Sequence, residues 1–397
     1  MRKTSLLYTL LFFIGIQPVP GQTFTPGVSY FGANGYVEYL AGNLPIIMTA
    51  PHGGLLSPAT LPDRDCAGCS TVNDFNTQEL ARAFAEAVHT RTGCWPHVVF
   101  NKLHRRKLDA NRDLPEAADG NPAAATAWHE FHAFVESAKN QVFPAFGKGL
   151  YLDLHGHGHS IQRLELGYLL SQAELALSDD TINHPNLVRQ SSIRYLAGQN
   201  AGDLSHAALL RGPLSLGSLL ADRGYPATPS ASDPFPDPDE DYFNGGYNTA
   251  RHSSYPGGAT IDGLQIECNR QGIRDSMHNV LRFADSLAVS VLDYLGLHYF
   301  GEALAELCLP EAPVQMQLAE VYPNPYCINF FVKKTAAAPA GIWMVEMFDF
   351  YGNLLKVKEL EDENPVEFVP RYPQHVLLVV RRDGVVTTTQ SLFRFCR

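Results

Sequence analysis

The sequence predicts an α/β fold, with a mixed sheet flanked by helices, followed by a small C-terminal antiparallel β-sandwich. Two observations support this prediction. Between about residues 44 and 300, short apolar strand-like runs alternate with segments of helical spacing, as they do in layered α/β domains. After Leu309 the chain changes to short alternating runs separated by turn residues, which is typical of a β-sandwich.

The elements of the first domain can be assigned in order along the chain. Helices are predicted at "TQELARAFAEAVHTRTG", where Leu80, Phe84 and Val88 form one apolar stripe, and at "AAATAWHEFHAFVESAKNQVF". A helix-rich stretch runs to Arg223, and "SMHNVLRFADSLAVSVLDYLGL" predicts a closing helix. Residues 224–258 are dense in Pro, Gly and Asp, which predicts a long and therefore functional loop. Strands are predicted at "LPIIMTA", "HVVFNKL", "GLYLDLHG", "ELGYLLS" and "TIDGLQIECNR".

The N-terminal segment "MRKTSLLYTLLFFIGIQPVPGQ" has the three parts of a secretory signal. It begins with basic residues, continues with an apolar core too short to cross a bilayer, and ends in small residues. We therefore predict a signal peptide at 1–21, the α/β domain at 22–309, a Pro-punctuated linker at 310–320 and the β-sandwich at 321–397. No later segment reaches transmembrane length, so we expect an exported protein.

Composition and cysteine spacing exclude several classes of protein. The 397 residues are 45% hydrophobic and 18% charged, with a net charge of −11 and no Lys/Arg cluster of the kind that binds nucleic acid. Cys66 and Cys69 form a CxxC without the second ligand pair of a zinc module, so a loop disulfide or a pairing with Cys94 is preferred. Cys327 and Cys396 could link the C-terminal module, and an odd total of seven leaves one thiol over.

Polar, metal-competent side chains follow the predicted strands. His52 follows "IIMTA", His155 follows "LYLDL", and Glu267 ends "GLQIE". Ligands of α/β sheets bind beyond the carboxyl ends of the strands, so these side chains are expected to converge. A hydrolytic zinc centre needs three protein ligands, usually His and carboxylate, and an open position. We therefore predict that His52 and His155 are zinc ligands.

The third ligand is expected to be a carboxylate from "VNDFNTQEL". Asp74 can reach from the loop, whereas Glu79 lies inside the predicted helix, so Asp74 is preferred and Glu79 stays open. Glu267, held off the metal, is predicted to accept a proton from water and to pass it to the leaving amine. Asn111 and Arg112 are predicted to bind a substrate carboxylate.

The run "HGHGH" offers two more histidines. A tetrahedral zinc with an open position has no room for all three, so His157 and His159 are interpreted as loop groups. Asp153 shares a strand face with His155. It either orients that ligand or is an ordinary strand-end carboxylate, and the sequence favours neither alternative.

Six segments occur in the order found in the N-formylglutamate amidohydrolase family, whose wider kin are the zinc carboxypeptidases. The resemblance covers roughly residues 30–298 and implies a phosphorylase/hydrolase-like α/β fold with one zinc ion. It agrees with the ligand, base and carboxylate-binding roles predicted above. The HxxE glutamate of the carboxypeptidases is missing after His52, and Phe75 stands where the family has Trp. The six segments are "TAPHGG", "VNDFNTQELA", "RRKLDANRDL", "YLDLHGHGH", "YFNGGYNTARH" and "LQIECNR".

The same resemblance implies roles for four further residues. Asp109 corresponds to a residue that orients the first histidine ligand, and Arg105 to one that steadies the oxyanion. Arg251 and His252 fall in a loop over the site and are implied to bind substrate.

The C-terminal module is similar to sorting domains of the bacterial type IX secretion system. The segments "VYPNPY" and "VEMFDFYGNLL" carry this resemblance. It implies that the secretion machinery is a partner, and that the protein crosses the periplasm to reach the cell surface or the medium.

Three functions remain open on these observations. The leading hypothesis is an exported zinc amidohydrolase that cleaves an amide bond beside a free carboxylate, in N-acyl amino acids or short peptides. The second is a metallocarboxypeptidase or peptidoglycan-peptide hydrolase. The third is a non-catalytic binding module on the same fold, which would not need the base Glu267.

Overall fold

The structure is a computed structural model of the chain. The chain divides into two compact units, Phe24–Gln315 and Met316–Arg397. The predicted signal peptide lies outside the described residues, as do Cys327 and Cys396. The structure describes residues 24–66, 68–255, 259–301, 319–322, 330–334, 341–348, 354–360, 365–369, 375–382 and 385–393.

The first unit contains an eight-stranded sheet in the order β1-β2-β4-β3-β5-β8-β6-β7. Its strands are β1 (Ser29–Phe31), β2 (Val37–Leu40), β3 (Ile46–Ala50), β4 (His97–Asn101), β5 (Gly149–Gly156), β6 (Leu164–Gly167), β7 (Ala227–Thr228) and β8 (Ile261–Cys268). The helices of this unit are α1 (Thr77–Thr92), α2 (Leu114–Ala118), α3 (Pro122–Phe146), α4 (Gln172–Leu175), α5 (Asp179–Ile182), α6 (Pro185–Val188), α7 (Arg194–Gln199), α8 (His206–Arg211), α9 (Leu216–Ala221), α10 (Tyr247–His252) and α11 (Met277–Leu295), which a π-helical turn (Gly296–Phe300) continues.

The centre of this sheet is parallel. Strands β4, β3, β5 and β8 run in one direction, whereas β2 and β6 pair antiparallel to β4 and β8. The predicted mixed α/β sheet is therefore confirmed. Because the parallel strands all end at one edge of the sheet, the residues that follow β3, β4, β5 and β8 meet there.

Helices cover both faces of the sheet because alternate strand residues point to opposite sides. On β3, Met48 lies in the core that also contains Phe84 of α1 and Leu287 of α11. Its neighbour Ile47 lies in the core that contains Phe131 of α3. Because a shift of one residue would move every side chain of a strand to the opposite face, the two apolar cores fix the register of each strand. The register in turn fixes the direction in which the last side chains of the strand point.

The helix α10 lies in a segment where no helix was expected. Residues 224–258 were predicted to be mostly loop, yet Tyr247–His252 form α10, which packs on β5 and β8. The buried side chains of Asn248, Thr249 and His252 line its inner face. Tertiary packing therefore stabilises a short helix in a segment whose Gly and Pro residues predict a loop.

The C-terminal unit contains two antiparallel sheets, β13-β10-β9 and β12-β11-β14-β15. Residues of both sheets share one apolar core, which includes Phe330 and Phe368 of the first and Trp343 and Val345 of the second. The predicted small antiparallel module is confirmed. Its strands are β9 (Ala319–Tyr322), β10 (Phe330–Lys334), β11 (Trp343–Phe348), β12 (Leu354–Glu359), β13 (Val366–Phe368), β14 (His375–Arg382) and β15 (Val385–Phe393).

Two further sequence expectations can be compared with the described residues. Cys66 and Cys69 form a disulfide in the loop before α1, as preferred from their spacing. Within the part of the chain that is described, no helix combines the length and the apolar character needed to cross a bilayer.

A buried carboxyl group on β8 leads to a prediction about stability. Asp262 accepts hydrogen bonds from the Ser254 hydroxyl (2.7 Å), the Tyr195 N–H (3.1 Å) and the Tyr299 hydroxyl (3.2 Å). Burial raises its pKa to about 7. The folded state therefore holds this proton more tightly than the unfolded state, and stability is lost as pH rises from about 4 through 7.

We expect the free energy of unfolding to fall less steeply between pH 5 and 8 in Asp262→Asn than in the wild type. The loss of unfolding free energy that Asp262 causes as the pH rises is at most about 4 kcal/mol, since its pKa is raised from 3.8 to about 7 and one pKa unit corresponds to about 1.4 kcal/mol. Denaturant unfolding at several pH values measures it, with the exposed Asp222→Asn as control. Parallel pH dependences of wild type and Asp262→Asn would show that Asp262 is ionised in the folded protein.

Candidate metal centre

Two histidines meet at the carboxyl edge of the sheet. His52 lies two residues beyond the end of β3, and His155 is the penultimate residue of β5, which pairs with β3 in parallel. Their Nδ1 atoms are 3.1 Å apart, and both residues are buried. The structure therefore brings together the two histidines that the sequence predicts as ligands.

Asp74 completes this cluster from the loop before α1. Its Oδ2 atom lies 3.3 Å from the Nδ1 of His52 and 3.2 Å from the Nδ1 of His155. Its backbone N–H donates to the carbonyl of His52, and the N–H of Gly156 donates to its Oδ2. Asp74, and not Glu79, is the carboxylate that joins the two histidines in a group able to hold a metal ion.

The outer nitrogen of each ring is held by a carboxylate. His52 Nε2 lies 2.6 Å from Asp109 Oδ1, and His155 Nε2 lies 2.9 Å from Asp153 Oδ2. A carboxylate only accepts hydrogen bonds, so each Nε2 donates to its carboxylate and each Nδ1 faces the cluster. The two Nδ1 atoms and Asp74 Oδ2 can act together as acceptors for one positive charge, which either a proton or a metal ion can supply.

The distances match such a cation. Zinc–nitrogen and zinc–oxygen bonds of about 2.0–2.1 Å in a tetrahedral site place neighbouring ligand atoms about 3.4 Å apart. The three inward atoms are separated by 3.1, 3.2 and 3.3 Å.

The sequence left open whether Asp153 orients a ligand, and its contact with His155 favours the orienting role.

The charges around the cluster also favour a cation. Burial by itself would lower the pKa of His155, but the carboxylates of Asp153 and Asp74 raise it well above its ordinary value. Burial would raise the pKa of Asp74, but His52 and His155 hold it far below its ordinary value. Without a metal ion, a proton on His155 provides the positive charge, so a metal must compete with that proton and should bind more weakly as the pH falls.

Asp109 connects the cluster to its surroundings. Besides His52, its carboxylate accepts from the N–H of Asn111 (3.0 Å) and from the Nε of Arg105 (2.9 Å), and the guanidinium of Arg64 is 3.7 Å away. These contacts fix the orientation of the carboxylate, which in turn fixes the ring of His52. Arg64 was not identified from the sequence, and it is a buried arginine that supports this loop.

We expect Asp109→Asn to weaken metal binding by about 10–100-fold, because partners that orient ligating histidines contribute this much to affinity. Competition with a chromogenic chelator measures the dissociation constant, with the exposed Asp65→Asn as control. An unchanged affinity in Asp109→Asn would mean that the contact with His52 does not orient a metal ligand.

Glu267 lies beside the cluster on the next strand. It is the register partner of His155 across β5 and β8, and it is 5% exposed. Its Oε1 accepts from the Nε2 of Gln265 at 2.8 Å, whereas its Oε2 is buried and has no hydrogen-bond partner within the described part of the chain. Burial raises its pKa to about 8, an effect that His155 opposes and Asp74 reinforces. In its ionised form Glu267 can accept a proton on this oxygen, and its raised pKa means that it holds the proton more tightly than an ordinary glutamate does.

Asn111 also reaches the cluster. Its Nδ2 lies 3.3 Å from His155 Nε2, and its Oδ1 accepts from the N–H of Asn248. A Cβ on Gly246 would come within 2.6 Å of Asn111 Nδ2, so this position requires glycine for the loop to approach so closely. Asn248 was not identified from the sequence, because α10 was not expected.

Three predicted substrate-binding residues make their hydrogen bonds to residues outside the cluster. Arg112 has a side chain that is 37% exposed and pairs with Glu116 at 3.0 Å. Arg251 donates to the hydroxyl of Tyr247 at 2.8 Å and is exposed. His252 is completely buried, with its ring bonded to His132 (2.8 Å). The structure therefore does not bring Arg251 or His252 to the cluster, and His252 is committed to contacts with α3.

Arg105 contacts the carboxylates of Asp74 and Asp109. Its Nη1 is 3.7 Å from Asp74 Oδ1, and its Nε donates to Asp109. Its side chain is largely buried, so a guanidinium charge is held at the border of the cluster.

A second group of potential metal ligands lies further along the same edge. His157, His159 and Glu165 each offer one ligand atom, and these atoms are within 4.8 Å of one another. From the sequence the two histidines were interpreted as loop groups, and Glu165 was not identified. The sequence did contain a signal for Glu165, which is a carboxylate inside the apolar run "RLELGYLL". A charge in a buried strand needs a partner, so this residue could have been expected to contact a cation or a histidine.

No protein-family model matches the chain, and no curated protein matches it. Among solved structures, the chain is similar to N-formylglutamate amidohydrolase from Ralstonia eutropha JMP134. The two are 14% identical, the match covers 72% of this chain and 99% of that chain, and the TM-score is 0.39. This is a weak likeness of fold only.

Proposed function

We propose that the chain is an exported zinc-dependent hydrolase that cleaves an amide bond beside a free carboxylate, in N-acyl amino acids or short peptides. One observation carries this proposal. Three inward-facing acceptor atoms of His52, Asp74 and His155 lie 3.1–3.3 Å apart, beside the unpartnered buried oxygen of Glu267.

The ligand set supports zinc as the metal. Two imidazoles and one carboxylate leave a fourth tetrahedral position open, which is the arrangement of catalytic rather than structural zinc sites. A zinc ion held there would supply a Lewis acid that polarises the scissile carbonyl and acidifies water.

Glu267 is suited to move the proton. Gln265 donates a hydrogen bond to Oε1 and so fixes the orientation of the carboxyl group, which leaves Oε2 to accept the proton. In this proposal Oε2 accepts a proton from the attacking water and then donates it to the nitrogen of the leaving amine. The raised pKa of Glu267 favours the second step, since a protonated carboxyl group is a competent acid near neutral pH.

Arg105 and the Asn111-Arg112 pair supply the remaining interactions. The guanidinium of Arg105 lies within 3.7 Å of Asp74, so it can stabilise the negative oxygen that develops on the carbonyl. Arg112 keeps a partly exposed guanidinium that a substrate carboxylate can engage in exchange for Glu116. The free carboxylate in the proposed substrate is inferred from this residue.

Export is part of the proposal. The disulfide between Cys66 and Cys69 supports it, since such bonds persist in oxidising compartments. The signal-like N-terminal segment and the C-terminal antiparallel module agree with recognition by a secretion machinery, which remains an inference from their sequences.

A screen of amide substrates on the zinc-loaded full chain tests the function. We expect hydrolysis of N-acyl amino acids and loss of cleavage when their carboxylate is amidated. A carboxypeptidase would instead prefer longer peptides with a free C-terminus. Carboxylate binding without turnover on the whole panel would contradict the proposal and support a binding module.

A further inference from the structure

We propose that His157, His159 and Glu165 form a second binding site for a divalent transition-metal cation, with zinc preferred, separate from the cluster of His52, Asp74 and His155. The proposal does not depend on the hydrolytic activity, because the two groups share no residue.

The inward atoms of this second group face one another. His159 Nδ1 lies 2.7 Å from Glu165 Oε1, and His157 Nδ1 lies 3.9 Å from the same oxygen. Glu165 is 1% exposed and His157 is buried. Two imidazoles and a carboxylate are the ligand types that zinc and its neighbours in the first transition row prefer.

Each member is also held from its outer side. His157 Nε2 lies 2.8 Å from the carbonyl of Arg163, so Nε2 carries the hydrogen and Nδ1 presents its lone pair inward. Glu165 Oε2 accepts from the N–H of Phe243 at 2.8 Å, which leaves Oε1 for the group. The ring of His159 stacks on Phe243 with a centroid distance of 4.6 Å. Outer contacts of this kind are typical of metal ligands.

The neighbouring strand supplies an independent indication. Glu165 on β6 is the register partner of Glu267 on β8, so two buried carboxylates lie side by side. Among the residues that the structure describes, none forms a hydrogen bond with Glu267 Oε2. Two adjacent buried carboxylates repel when both are ionised, and a metal ion beside Glu165 would offset that repulsion.

Binding would replace two existing hydrogen bonds. The N–H of His159 donates to His157 Nδ1 at 3.1 Å, and His159 Nδ1 contacts Glu165. The side chain of His159 is also 19% exposed, so water has access to the ion. For both reasons we expect this site to bind more weakly than the buried cluster. A bound ion would tie residues 157–163 to β6 and to the loop that contains Phe243.

Metal stoichiometry of the full chain tests the proposal. The protein is stripped with a chelator, dialysed against Zn²⁺ and measured by elemental analysis, and the visible absorption of bound Co²⁺ is recorded in parallel. We expect two ions per chain in the wild type and one in Glu165→Gln and in His159→Ala. The exposed His278→Ala is the matched control and should keep two.

Asp74→Asn separates the two sites. It should also retain one ion, and its combination with Glu165→Gln should retain none. Wild-type stoichiometry in both Glu165→Gln and His159→Ala, or a single wild-type ion that only Asp74→Asn removes, would overturn the second site. A single ion that Glu165→Gln removes and Asp74→Asn keeps would instead overturn the proposed catalytic centre. Because His159 is partly exposed, His159→Ala is informative even if Glu165→Gln fails to fold.

Discussion

Glu267→Gln lowers turnover by about 10²–10⁴-fold if Glu267 transfers the proton, the range that a positioned acid-base group contributes. Glutamine has the same size, and its carbonyl oxygen can still accept from Gln265 as Oε1 of Glu267 does. It cannot gain and lose a proton at neutral pH. We therefore expect the metal content and the folding of the variant to be unchanged while kcat falls.

Steady-state kinetics on the best amide substrate, together with elemental analysis, measure this effect. Glu86→Gln is the matched control, because Glu86 is an exposed residue of α1 and does not belong to the ligand group. Turnover of Glu267→Gln within a few-fold of the wild type would defeat the proposed mechanism. A loss of metal together with activity would show that Glu267 is a ligand instead of a base.

Removing the charge of Asp74 is expected to have an equally large effect through a different step. In Asp74→Asn the inward atoms of His52 and His155 lose the only carboxylate that faces both of them in the ligand group. The neutral amide cannot balance a divalent cation. We expect the chain to lose one bound ion and its activity to fall to background.

Equilibrium dialysis followed by elemental analysis measures the ion, and the substrate assay measures activity. Asp222→Asn is the matched control, since Asp222 is exposed at the end of α9. Metal content and turnover equal to those of the wild type in Asp74→Asn would refute the assignment of this centre. Loss of the ion with full activity would separate the metal from catalysis and refute the zinc mechanism.

Much of the site could be predicted because strand ends are visible in sequence. His52, His155 and Glu267 each follow an apolar run, and parallel strands place their carboxyl ends on one edge. The choice between Asp74 and Glu79 was harder, because Asp74 lies just before α1 and Glu79 lies in its first turn. Only the folded loop, with the N–H of Asp74 bound to the carbonyl of His52, shows which carboxylate turns inward.

The positions of Arg251 and His252, which the resemblance implies to bind substrate, could not be predicted from the sequence. Arg251 and His252 lie in a segment dense in turn residues, and the sequence does not reveal the helix that directs them. In the structure, α10 packs on β5 and β8 and buries His252 against His132. The role implied for His252 therefore lacks geometric support, whereas Asn248 of the same helix reaches Asn111.

Residue type and period alone determined the α/β class, the C-terminal antiparallel module and the strand ends at which ligands gather, because these depend on local alternation along the chain. The contact between Asp153 and His155 also follows from alternation within β5, whereas the partnerships Asp109–His52 and Glu165–Glu267 were decided by the tertiary structure. Loop packing and strand register set these two pairs, and both arise from contacts between segments distant in sequence, which no local pattern encodes.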